Sequence, residues 1–273
     1  MTDSMIGARA TPRLVFGPSV QPGAQSGKRM LPEEVAVALS FNGTTQAVMM
    51  ATPEDLVDFG YGFAQTEGIA TPADILSVEV ETLPKGRDVQ IWLAPEAEAK
   101  LSARRRTMTG PVGCGLCGID SLDQALRDVP TAQPSAFRMT PAHVMEAVAS
   151  LPAQQRLHDA TRAVHCAAFW NGKLTLARED VGRHNALDKL VGAMVRIGTS
   201  PAGAVVLTSR VSIDMVQKVA MLGAPMIIAV SAPTADAVTL AESAGITLIA
   251  LARSDRFEVF THSDRILEES HVR

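Results

Sequence analysis

The sequence predicts an α/β protein: a mixed sheet covered by helices on both faces in the C-terminal half, with a smaller α+β region before it. Three observations carry this. In the C-terminal half, the short apolar runs 204–208, 226–231 and 246–251 alternate with helical stretches, the pattern of strands buried on both faces. In the N-terminal half, two strand-like runs flank Asn42-Gly43, a strong hairpin signal. Between the halves, Pro130, Pro134 and Pro152 mark 130–160 as a connecting region. A chain of 273 residues is long enough for one large domain or two small ones.

Taken in order, residues 1–30 carry Gly, Pro, Ser and Gln with little periodicity and read as a mobile arm or an extended strand. The α+β region, 31–129, opens with a strand over 34–41 that Asn42-Gly43 turns into a second over 45–50. Thr52-Pro53-Glu54-Asp55 reads as a helix start, with Thr52 as cap and Pro53 at the first helical position. That helix runs over 54–66 and stops at Gly68, followed by strands at 75–82 and 89–93 and a helix at 96–105. Ser121-Leu122-Asp123-Gln124 reads as a capping box opening another helix. The connecting region holds a helix over 141–149.

The C-terminal domain, 161–273, begins with a hairpin of 164–170 and 174–178 across Asn171-Gly172. Helices over 185–197, 212–222 and 235–244 then alternate with the three buried strands, and 257–261 is the last strand. There is no internal repeat and no low-complexity tract.

The bulk numbers narrow the class. A hydrophobic fraction of 47% is that of an ordinary globular protein. No apolar run reaches the roughly 18 residues of a spanning helix, and no secretory signal is visible, so no membrane role is expected. Three cysteines, two of them in one loop, do not look like a disulfide framework. A cytoplasmic location fits best. The net charge of −4 argues against nucleic acid as the main partner and leaves room for a local basic patch.

The chemistry points first to Gly113-Cys114-Gly115-Leu116-Cys117-Gly118. Glycines leave these thiols uncovered. Arg104, Arg105 and Arg106 upstream, and a helix N-terminus downstream, favour thiolate over thiol. The plainer alternative is a glycine-rich surface turn with incidental cysteines.

A second signal lies at the strand ends, where such sheets bind ligands. Arg183-His184-Asn185, Ser209-Arg210-Val211-Ser212 and Ser231-Ala232-Pro233-Thr234 each stand at a helix start. Each offers free backbone N–H groups and a positive dipole end, and two add an arginine suited to phosphate. Singly, each is also an ordinary cap; together they favour an anionic, phosphorylated ligand. No Walker or Rossmann glycine fingerprint is present. Lys189 reads as part of a solvated helix face, His165 as a hydrogen-bonded core residue and Cys166 as buried and inert.

These motifs together resemble the FdhD/NarQ family, accessory sulfurtransferases for formate dehydrogenase. The matching residues are Met50-Ala51-Thr52-Pro53, Thr66-Glu67-Gly68-Ile69, Cys114-Gly115-Leu116-Cys117-Gly118, and His165 with Ala167-Ala168. The longest match runs from Glu179 through Asp180-Val181-Gly182-Arg183-His184-Asn185-Ala186-Leu187-Asp188 to Lys189. Met215-Val216-Gln217-Lys218, Ser231-Ala232-Pro233-Thr234 and 257–261 complete it. Cys166 stands where the family commonly has Ala, and Val211 and Ile213 replace residues often seen beside the Arg-x-Ser element.

The resemblance implies a C-terminal domain of cytidine-deaminase-like fold, but no His-x-Glu partner precedes the cysteines, so deamination is not expected. It implies that a cysteine desulfurase loads a persulfide on Cys114, with Cys117 assisting. The sulfur then passes to the molybdenum, or tungsten, bis(guanine dinucleotide) cofactor destined for the formate dehydrogenase apoprotein. It implies that this cofactor, with a guanine nucleotide as its mimic, contacts Phe257, Glu258, Val259, Phe260, Thr261 and His262. The helix-start residues Arg183, His184, Asn185, Ser209, Arg210, Ser212 and Ser231 are candidates for its phosphates. A homodimer and no resident metal are further implications. Competing classes are a zinc hydrolase of the same fold and a dithiol oxidoreductase.

Overall fold

The computed structural model describes residues 4–16, 25–107, 129–131 and 135–267. These form three sheets with helices between them. Residues 4–16 and 25–32, most of them in the stretch 1–30 expected as an arm or an extended strand, make an antiparallel sheet of β1 (Ser4–Met5), β2 (Ala8–Val15) and β3 (Gln25–Pro32) in the order β1-β2-β3. Its root is fixed by Ala8 packing with Leu157 and Val164. Low hydrophobicity hid this ribbon, because only its root enters a core.

The second sheet has the order β5-β4-β7-β6, from β4 (Val35–Phe41), β5 (Thr44–Ala51), β6 (Ile75–Leu83) and β7 (Gly86–Leu93). The β4–β5 hairpin closes over two residues, with Phe41 opposite Thr44. Asn42 and Gly43 have φ of 47° and 77°, the double positive φ of a type I′ turn. One face carries Val37, Leu39, Phe41, Val89 and Ile91 against Phe59 and Phe63 of α1 (Leu56–Thr66). α2 (Pro95–Thr107) follows the last strand.

The start of α1 differs from expectation. The helix begins at Leu56 with Asp55 at its N-cap, in the left-handed region and with no side-chain capping bond. Thr52 is fully buried instead, and its partners lie in the other half of the chain.

The third sheet has six strands in the order β13-β12-β11-β10-β8-β9. Here β8 (His165–Trp170) and β9 (Leu174–Asp180) form the expected hairpin. β10 (Ala204–Leu207), β11 (Met226–Ala229) and β12 (Thr247–Ala250) are parallel neighbours, while β8 and the two-residue β13 (Glu258–Val259) run antiparallel. Alternation divides the strands between two cores. Phe169, Val205, Leu207, Ile227 and Leu248 face α5 (Arg183–Arg196), α6 (Ile213–Leu222) and α7 (Ala235–Ser243). Cys166, Val206, Ile228 and Ile249 face Val144 and Ala147 of α3 (Pro141–Ala149). The mixed sheet is thus covered on both faces, and a helix from the connecting region forms one cover. The short α4 (Arg156–Thr161) ends beside β3.

The two large sheets meet through α1 and α5. A Cβ built on Gly62 would stand 1.7 Å from the Asp188 carbonyl oxygen, and one on Gly192 would stand 1.8 Å from that of Asp58. Only glycine permits this approach of two helix backbones. Lys189, expected on a solvated face, is 0% exposed beneath it. The correction has a physical cause: helical periodicity cannot show that a second helix covers α5 on the side away from its sheet.

Candidate functional site

The residues 179–189 turn out to do two different things. Most of them build the joint between the halves. Asp180, at the end of β9, accepts hydrogen bonds from Lys189 Nζ (2.6 Å), Thr52 N (3.0 Å), Gly182 N (2.7 Å) and Asn185 Nδ2 (2.9 Å). Lys189 Nζ also donates to the Thr52 carbonyl at 2.9 Å, and Thr52 Oγ1 accepts from Val181 N at 3.1 Å. Both Asp180 oxygens are therefore paired, and the Lys189 ammonium is held by two oxygens over the Phe59 ring, as a charge out of water requires. Asn185, expected at the binding surface, is 2% exposed, and its amide donates to the Met50 carbonyl as well as to Asp180. It locks the joint.

A second cluster repeats the pattern. Lys218 Nζ donates to both oxygens of Asp188 (2.9 and 3.0 Å), to Glu67 Oε1 (2.7 Å) and to Thr66 Oγ1 (3.0 Å). Burial works to lower the Lys218 ammonium, but Asp188 and Glu67 outweigh it and hold the group above its usual range. In a third cluster Asp58 takes Arg178 at 2.8 Å and Arg196.

The rest of the motif faces the candidate ligand edge, the side of the sheet where such folds bind ligands. The parallel strands β10–β12 end on one side of the sheet, and β8, running antiparallel, starts there with His165. The loops after β10 and β11 are tied together, since Val211 N donates to the Ala232 carbonyl (3.2 Å) and Thr234 N to that of Val211 (2.9 Å). Ser209, Arg210, Ser212 and Ser231 thereby share a rim. Arg210 is exposed, while Ser209 is buried with its hydroxyl donating to the Arg210 carbonyl at 3.0 Å.

Three helices start at this edge, as expected, but they are not equivalent. The α7 start is capped by Thr234, which accepts from Ala237 N at 3.2 Å. The α6 start holds its own carboxylate, Asp214, paired with His184 of α5. Burial alone would raise the Asp214 carboxyl, but the His184 hydrogen bond and charge, joined by Ser212, hold it well below the usual carboxylate range. The α5 start has Gly182 at its N-cap, no capping side chain and no acid in its first turn. It is the helix start most open to an added anion.

His165 is half-buried rather than a core residue. Burial, then the charges of Arg183, His158 and His184, hold its imidazole below its usual range. His158, from α4, accordingly lies with Arg183 and His184 beside a His165 ring held neutral. Neither His158 nor Asp214 carries a sequence signal, because each becomes part of the edge only through the packing of its helix.

The C-terminal stretch starts at this edge and then leaves it. β13 is five strand positions from β9, about 24 Å at the usual spacing. Its register sets Glu258 opposite Ala250, at the carboxyl edge. The chain then runs toward the other edge, where Thr261 Oγ1 donates to the Ile246 carbonyl (2.6 Å) and accepts from Leu248 N (2.8 Å). Phe257 and Val259 pack into the core under α3. Phe260 is 39% exposed, and His262 Nε2 meets the Glu242 carbonyl at the end of α7 at 2.8 Å. The structure therefore brings Arg183, His184, Ser209, Arg210, Ser212 and Ser231 together, and sets Phe260, Thr261 and His262 apart from them. Cys114 and Cys117, with the Arg-rich approach and the 121–124 capping box, lie outside the described residues or side chains. Cys166 is buried, and burial, then Glu179, pushes its thiol up to about 12. Its burial is as expected, and a thiol held protonated in this way is a poor nucleophile.

Comparison with known proteins decides the relationship. The model of the FdhD/NarQ family matches residues 32–267. The chain belongs to the FdhD/NarQ family. It is similar to a protein named sulfur carrier protein FdhD from Agrobacterium fabrum, 48% identical, with 96% of this chain and 99% of that one covered. A protein of the same name from Brucella abortus is 51% identical over 90% of this chain and 93% of its own length. Among solved structures, a putative formate dehydrogenase accessory protein from Desulfotalea psychrophila matches with a TM-score of 0.75 and 27% identity. That match covers 95% of this chain and 99% of that one. Much of what makes the chain resemble the FdhD/NarQ family, from Met50 and Thr52 through Thr66 and Glu67 to Asp180, Asp188, Lys189 and Lys218, is the charged joint.

Proposed function

We propose that this protein is a sulfur carrier for formate dehydrogenase. In this reading a cysteine desulfurase loads sulfane sulfur on Cys114 as a persulfide, and Cys117 assists its release. The acceptor is the molybdenum, or tungsten, bis(guanine dinucleotide) cofactor, bound as substrate. The observation that carries the reading is membership of a family whose close relatives bear the sulfur-carrier name, in a chain with two thiols in one glycine-rich loop.

The ligand edge supports the cofactor part. His158, His165, Arg183, His184 and Arg210 gather there around an uncapped helix start, a setting that favours phosphate. The separate stretch at Phe260 and His262 suits a ligand with two nucleotide arms better than one with a single arm. A cytidine-deaminase-like C-terminal domain, a homodimer and a cytoplasmic location belong to the same proposal. Among the described residues no helix is long and apolar enough to cross a membrane.

The test is intact mass spectrometry after incubation with a cysteine desulfurase and cysteine. The expected result is a gain of one sulfur that reductant removes and that Cys114→Ala abolishes. Cys166, buried and held protonated, contributes nothing to the gain. Loading that is absent from the unaltered protein, or that survives Cys114→Ala and is lost only in Cys117→Ala, would overturn the reading or the assignment respectively.

A further inference from the structure

All of the ribbon β1–β3 but Pro32 precedes the span matched by the family model, which begins at residue 32, and the ligand edge does not use it. Its sequence carries Arg9, Arg13, Lys28 and Arg29 and no acidic residue over 4–16 or 25–32. The register sorts these charges. Arg29 pairs with Thr11, so Arg9, Arg13 and Arg29 share one face while Lys28, opposite Pro12, points to the other. Diagonal neighbours on a sheet lie about 7–8 Å apart, so Arg29 stands that close to both Arg9 and Arg13. All three are exposed, and Leu31, opposite Arg9, is 38% exposed among them.

Three like charges within a Debye length destabilise the ribbon they sit on. On a chain of net charge −4 they also form a local field opposite to that of the whole. We infer that this arginine face is a docking surface for an acidic patch on a protein. Arginines beside exposed aliphatic side chains fit a protein interface, where planar guanidiniums pair with carboxylates and the apolar neighbours are covered. The place of the ribbon selects the partner. Arg29 Nη2 donates to the Thr161 carbonyl of α4 at 3.3 Å, and α4 also carries His158 of the ligand edge. The arginine face is therefore one short helix from the ligand edge. It fits the protein that receives the proposed substrate, the formate dehydrogenase apoprotein. This step rests on the sulfur-carrier reading.

The experiment measures binding of the purified full chain to formate dehydrogenase apoprotein, and separately to duplex DNA, at low and at physiological salt. Desulfurase-dependent loading of Cys114 is read on the same samples. Reversing the face with Arg9→Glu, Arg13→Glu and Arg29→Glu should weaken apoprotein binding on the order of thirtyfold or more and remove most of its salt dependence. Loading should be unchanged, which also shows that the variant is folded. Arg9→Gln, Arg13→Gln and Arg29→Gln should give an intermediate loss. Apoprotein binding equal to that of the unaltered chain in both variants, or absent from the unaltered chain, would overturn the inference. So would tighter binding to duplex DNA than to the apoprotein, or loss of loading in place of loss of binding. Failure of the sulfur-carrier reading shows separately, as no loading of the unaltered chain.

Discussion

Gly62→Ala adds a single methyl group where α1 crosses α5. It would stand 1.7 Å from the Asp188 carbonyl oxygen and 2.9 Å from Gly192 N, whereas ordinary contact begins at 3.4 Å. Both obstacles are backbone, so no rotamer change relieves them. The helices must separate by more than an ångström. Alanine's helix propensity returns about 1 kcal/mol. Overpacking against side chains typically costs about 1–3 kcal/mol, and a rigid backbone obstacle belongs at the upper end. The separation also stretches the Thr66–Asp188 hydrogen bond of 2.6 Å and the Lys218–Asp188 pair. Breaking a buried pair costs about 3–5 kcal/mol. Even with partial loosening the net loss should be about 3 kcal/mol, a fall in Tm of roughly 6–12 °C for a chain of this size. Calorimetry on Gly62→Ala measures it. Gly192→Ala should behave alike, and the double variant should lose less than the two separate losses added together, because one methyl already parts the helices. A Tm within about a degree of the unaltered protein would refute the reasoning, since the propensity gain alone should then have raised it.

Three other outcomes are expected. Lys189→Met leaves Asp180 buried without its cation and should destabilise by about 3–5 kcal/mol in urea unfolding, and an unchanged midpoint would count against the joint. Guanosine diphosphate should bind the ligand edge. Arg183→Ala with Arg210→Ala should weaken it about tenfold or more in calorimetry, as expected for two charged hydrogen bonds, whereas full affinity would move the site elsewhere. Phe260→Ala with His262→Ala should fold, load sulfur on Cys114 and fail to activate formate dehydrogenase; full activation would make that stretch purely structural.

The legible parts of the fold were those with a local cause. Asn42-Gly43 specifies its two-residue turn and Asn171-Gly172 marks the three-residue loop 171–173, and the runs at 204–208, 226–231 and 246–251 are too short and too apolar for anything but buried strands. Thr52 was misleading because Thr-Pro-Glu-Asp is good capping chemistry, while its actual partner, Asp180, is 128 residues away. Lys189 failed for the same reason. The ribbon was opaque because cross-strand pairing, not hydrophobic alternation, holds residues 8–15 to 25–32. At the ligand edge the helix starts were readable. The difference between them was not, since it depends on Asp214 reaching His184 across two helices.

The charged joint bears on how the chain can be divided. Asp58 belongs to one half and its arginines, Arg178 and Arg196, to the other. Thr66 and Glu67 belong to one half, while Asp188 and Lys218 belong to the other. The Asp180–Lys189 pair closes over Thr52 from across the same boundary. Either half expressed alone would expose or strand part of each cluster. The two sheets, although each has its own core, should therefore unfold in a single transition rather than as separable modules. The slowest-exchanging amides of α1 and α5 should report the same global opening free energy.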